Sequence, residues 1–115
     1  MHSIEKIGEG TVNITLTRGD SLFLQIDLVK NDEPYIPGPE ASLRFAMKQR
    51  YKDPDEEVVL VKSIPISTMI LEIAPEDTKT LVMGKTYVYD IELTDEQGHV
   101  DTFVKGTFTI GEEVI

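Results

Sequence analysis

The sequence predicts an all-β fold: an immunoglobulin-like β-sandwich of about seven antiparallel strands with one short helical turn. Three observations predict it. The 115 residues include 12 Ile, 11 Thr and 10 Val, branched side chains that suit a pleated, half-buried surface. Apolar residues alternate with polar ones at a period of two. Turn residues interrupt these runs at regular spacing, as in a sandwich. The length fits a single domain over residues 1–115 with a core of its own.

The elements follow in order. Residues 12–17 set Val12, Ile14 and Leu16 against Asn13, Thr15 and Thr17, and Arg18-Gly19-Asp20 makes a turn. Leu22, Leu24, Ile26 and Leu28 form the next apolar face, ended by Asn31-Asp32-Glu33-Pro34 and Pro37-Gly38-Pro39. Residues 42–49 turn Leu43, Phe45 and Met47 inward and Arg44 and Lys48 outward. Asp53-Pro54-Asp55 marks a hairpin tip, and Val58 to Ile64 returns. Met69, Leu71 and Ile73 share the next face. Pro75-Glu76-Asp77-Thr78 reads as a helical turn, with proline at its start and acids at the positive end of the dipole. Residues 85–94 set Tyr87, Tyr89, Ile91 and Leu93 against Val88, Asp90, Glu92 and Thr94. Asp95-Glu96-Gln97-Gly98 is a tight turn before a last strand from His99 to Ile110. Tyr87 follows a helical turn and a glycine at the start of the penultimate strand, the setting of a tyrosine corner. Its ring is expected to be buried, with the hydroxyl bonded to backbone near Glu76–Lys79.

Composition excludes several functions. The net charge of −10 opposes sequence-general binding of nucleic acid and of anionic membranes. The absence of cysteine excludes disulfides, thiol catalysis and thiolate metal sites. The N-terminus lacks the apolar stretch of a secretory signal, and no apolar run nears the roughly 20 residues that span a bilayer. A soluble chain that starts at residue 1 is expected. No glycine-rich phosphate loop and no nucleophile–base pair stands out, so no enzymatic activity and no cofactor are expected.

The candidate sites compete with plainer readings. Arg18-Gly19-Asp20 spells an adhesion tripeptide, but a turn explains it. Asp53, Asp55, Glu56 and Glu57 offer oxygen ligands for calcium without the spacing of a calcium loop. Asp95, Glu96, His99 and Asp101 crowd one hairpin, which a charged turn explains. Phe23 and Phe103 break the alternation. Phe23 shares a face with Gln25 and Asp27, and Phe103 with Asp101 and Lys105. In regular strands both rings point outward, which makes them interface candidates; a bulge or a covering loop would bury them. The segments Met1–Ile4 and Gly111–Ile115 are candidate edge strands for a neighbour, or frayed ends.

Several stretches together resemble one family. They are Ile14-Thr15-Leu16-Thr17-Arg18-Gly19-Asp20, Leu43-Arg44-Phe45-Ala46-Met47-Lys48, Ala74-Pro75-Glu76-Asp77-Thr78 and Tyr87-Val88-Tyr89-Asp90-Ile91-Glu92-Leu93-Thr94. Gly98 to Phe103 and Phe108-Thr109-Ile110 complete the set. From about residue 12 to 112 the chain is similar to small prophage-encoded proteins of Gram-positive bacteria. It also resembles the N-terminal domain of the phage baseplate upper protein. The resemblance implies a tail- or baseplate-associated structural protein without chemistry of its own. It would sit in the virion, or in the host cytoplasm during assembly. It implies other tail proteins as partners, and a homo-oligomer, with rings of three or six subunits natural in a tail. With the sequence ending near Ile115 and no receptor-binding region expected after the sandwich, a subunit that joins tail parts is expected over a host-binding one. A carbohydrate-binding sandwich for host attachment is the alternative. The lack of Trp, with only four Tyr and four Phe, counts against it.

Overall fold

The computed structural model describes residues 5–7 and 10–113. Among the described residues the fold is all-β, as alternation predicts, with one short α-helix. A first sheet joins β1 (Glu5–Ile7), β4 (Leu22–Ile26) and β9 (Ile70–Ile73) in the order β1-β4-β9. A second runs β2-β11-β10-β7-β8, from β2 (Gly10–Thr11), β11 (Val100–Gly111), β10 (Thr86–Thr94), β7 (Ser42–Lys48) and β8 (Leu60–Ile64). In the same sheet β3 (Ile14–Thr17) also pairs with β11. A small hairpin joins β5 (Val29–Lys30) to β6 (Glu33–Pro34). The helix α1 (Pro75–Lys79) connects β9 to β10, and a 3-10 turn spans Asp55–Glu57.

This corrects the expectation of about seven antiparallel strands. Eleven strands are described, and three of their pairings are parallel: β1 with β4, β2 with β11 and β3 with β11. Alternation reports which side chains are buried and is silent on strand direction. The first predicted strand, over residues 12–17, begins two residues later, at Ile14, because Val12-Asn13 forms a break that separates β2 from β3.

The apolar faces of the two large sheets supply the core. Leu24, Ile26, Leu71 and Ile73 meet Leu43, Phe45, Met47, Tyr89, Ile91, Phe108 and Ile110, all buried. Phe45 stacks on Tyr89 at 5.3 Å between centroids, and both meet Phe108 edge-on. Such pairs add to what burial of the same area contributes. The Tyr89 hydroxyl donates to the Val12 carbonyl at 2.7 Å. Burial raises its pKa, so it stays a proton donor.

Gly106 makes the break at Val12-Asn13 tolerable. A Cβ at Gly106 would collide with the Val12 carbonyl oxygen. The missing side chain lets the chain cross close over β11. There Val12 N–H donates to the Lys105 carbonyl at 3.0 Å, and Thr107 N–H to Asn13 Oδ1 at 3.1 Å. The break therefore leaves these backbone groups paired.

The helix is placed by one carboxylate. Asp77 Oδ2 accepts from the Ala74 N–H at 2.7 Å and from Lys62 Nζ at 2.8 Å. The second bond ties β8, which pairs only with β7 among the described residues, to the helix that follows β9. Among the described residues, no helix is long and apolar enough to cross a membrane.

Candidate functional site

Phe103 is buried, with 8% of its surface exposed, so the expectation that its ring points outward is corrected. The β10–β11 register passes from Ile91 opposite Val104 to Glu92 opposite Thr102. Phe103 is the extra residue of a β-bulge, which turns it to the same side as Val104. Its ring lies 5.5 Å from that of Tyr35. Phe23 is half-buried on β4, opposite Glu72 of β9, with half-buried Leu22 before it and buried Leu24 after it. Tyr87 has a buried ring, and its hydroxyl accepts from the Val82 N–H at 3.1 Å. The bond thus falls later than the expected Glu76–Lys79. α1 ends at Lys79, and the backbone that passes the hydroxyl belongs to the turn leading to Gly84, where φ is +80°.

The other sequence candidates are tied up in turns. Arg18 Nε donates to Glu113 at 2.8 Å, and the Gly19 N–H to buried Thr78 Oγ1 at 2.8 Å. Lys79 also meets Glu113 at 3.0 Å, and the two cations lower the Glu113 pKa. Arg18-Gly19-Asp20 is thereby a turn that fastens α1 and the end of β11. At the hairpin tip, Asp53 pairs with Arg50 and Asp55 with Lys48. Asp95 Oδ1 accepts from the N–H groups of Gln97 and His99, and Oδ2 lies 3.1 Å from His99 Nδ1. These bonds lower the Asp95 pKa and close the turn. Among the described residues, no three acidic or histidine side chains converge as metal ligands would. The segments 1–4 and 114–115, parts of the candidate edge strands, lie outside the described residues.

A concave site lies on the outer face of the larger sheet. Its cavity, about 300 Å³, has a floor of Ala46 on β7 and Val88 on β10, with Val58 beside them. Arg44 and Glu92 pair at 3.0 Å at one end. Lys48 sits at the other, 2.8 Å from Asp55 Oδ1 and 2.9 Å from the Asp53 carbonyl. Tyr51 reaches over the sheet from the β7–β8 connection and donates its hydroxyl to the Gly106 carbonyl at 3.1 Å. Asp90 also lines the cavity. Among the described residues, its half-buried carboxylate has neither an ion-pair nor a hydrogen-bond partner. Burial, then Glu92, push its pKa up, against Arg44 and Lys48, which pull it down. Burial and the Asp90 charge raise the Tyr51 pKa in turn.

Alternation already places Arg44, Lys48, Asp90 and Glu92 outward. It says nothing of Tyr51, whose position depends on how a loop folds back. The site offers a cleft with a carboxylate and an aromatic ring, which suits binding.

No protein-family model matches the chain. No curated protein matches it in sequence. Among solved structures, the fold is similar to the N-terminal domain of phage TP901-1 ORF48. The TM-score is 0.54 at 13% identity, over 94% of this chain and 98% of that one. The fold found in that phage domain is therefore the fold of this chain.

Proposed function

We propose that the chain is a non-enzymatic phage structural or assembly module, associated with the tail or baseplate, that acts through protein–protein contacts. The observation that carries this reading is the fold shared with a phage domain along nearly the full length of both chains. The family resemblance of the sequence points the same way and adds a prophage origin. On this reading residues 1–115 form one immunoglobulin-like domain. The smaller sheet packs on the larger, and β3 beside the final strand closes it. The chain binds neither nucleic acid nor membrane. It contacts other tail proteins and its own copies, in the virion or in the host cytoplasm during assembly. Phe23 belongs to a contact surface, and Tyr87 holds the corner before β10. Phe103 supports the core. The carbohydrate alternative has little to work with: Tyr51 is the one exposed aromatic among the described residues.

Size-exclusion chromatography with light scattering, over a wide range of concentration, tests the reading. A discrete trimer or hexamer is the expected result. A monomer at every concentration overturns self-assembly, and saturable binding of cell-wall fragments overturns the assembly role.

A further inference from the structure

We infer that the outer-face cavity receives an arginine side chain of a basic partner protein, with its guanidinium between the Tyr51 ring and the Asp90 carboxylate. The inference rests on the reading that the chain works through protein contacts, and it names the chemistry of one contact.

The two cations already at the cavity are committed. Arg44 is held by Glu92, and Lys48 by Asp55 and the Asp53 carbonyl. Asp90 is left over. A carboxylate partly withdrawn from water without a partner costs free energy, and an incoming cation recovers it. Tyr51 supplies the second half of the recognition. Its hydroxyl is anchored on Gly106, so the ring is held against the cavity while its surface stays more than half exposed. A guanidinium stacks on such a ring and makes paired hydrogen bonds to a carboxylate. Ala46, Val58 and Val88 give the methylene stem an apolar bed. The net charge of −10 steers a basic partner toward the surface.

The test is an amide NMR titration of the full chain with N-acetyl-arginine methylamide. The probes for comparison are the citrulline analogue, which has the same shape without the charge, and the lysine analogue. Expected are saturable shifts at Ala46, Val88, Asp90 and Gly106 with the arginine probe, and none with citrulline. Asp90→Asn should weaken binding at least about tenfold, while Glu72→Gln, which removes an exposed charge on β9 of the smaller sheet, leaves it unchanged. Equal loss in both variants, or shifts spread over the acidic surface, would show general counterion attraction and overturn the site. Lysine binding as tightly as arginine overturns the choice of residue. The assembly reading is tested by mass, so a failed titration leaves it standing.

Discussion

Two residues decide more than their size suggests. Gly106 is required because the chain crosses β11 where a side chain would start. Gly106→Ala must displace the Val12 carbonyl, and with it the bond from Tyr89. Overpacking of this kind costs about 1–3 kcal/mol, so the urea midpoint should fall without a change in slope. Asp90 works in the opposite sense. Its folded pKa is raised, so between the ordinary carboxylate value and the raised one the folded state holds more protons than the unfolded. Stability therefore falls as pH rises through that window, and the whole cost is present at neutral pH. Asp90→Asn is expected to raise the melting temperature at pH 7, with the gain vanishing near about pH 3. A lower melting temperature at pH 7 would mean that the carboxylate has a partner. Asp55, Asp95 and Glu113 carry lowered values, and their contributions are lost on acidification. The two kinds of carboxylate can thus be told apart by the sign of their pH dependence.

At the scale of elements, the bulge in β11 separates what the sequence shows from what it hides. Alternation places β3, β4, β7, β9 and β10 because one face of each meets the core, and burial imposes the period. It fails at Phe103, where one unpaired residue reverses the phase of the strand. The residue types of 99–105 show that Phe103 breaks the alternation, which an outward ring and a bulge both explain; the pairing with β10 decides for the bulge. The strands β1, β2, β5 and β6 escape alternation for a simpler reason: segments of two or three residues are too short to show a period. The outer-face cavity was half legible. Its strand residues follow from alternation, but Tyr51 joins them through a loop whose path no local rule gives. The bulge also yields a prediction. Phe103→Ser removes a core ring beside Tyr35, and losses of this kind run to about 3–5 kcal/mol. Denaturation should show that loss. A variant as stable as the parent would return Phe103 to the surface. For α1, Asp77→Ala removes both the bond to Ala74 N–H and the tie to Lys62. A loss of about 1 kcal/mol, seen by thermal melting, is expected from a cap of this type.

For the whole molecule, charge governs association. Each copy carries −10, so like copies repel before their surfaces meet, while a basic partner is drawn in. Salt separates the two cases, because the screening length falls from about 30 Å at 0.01 M to about 3 Å at 1 M. Self-association through apolar and backbone contacts should tighten as salt rises, since repulsion is screened while burial is not. Contact with a basic partner should weaken over the same range, mainly through a slower on-rate. Light scattering at fixed protein concentration and rising sodium chloride reads the first effect directly. Oligomers that dissolve as salt rises would show that their contacts are ion pairs between copies, and the acidic surface would then be part of the joint instead of an obstacle to it.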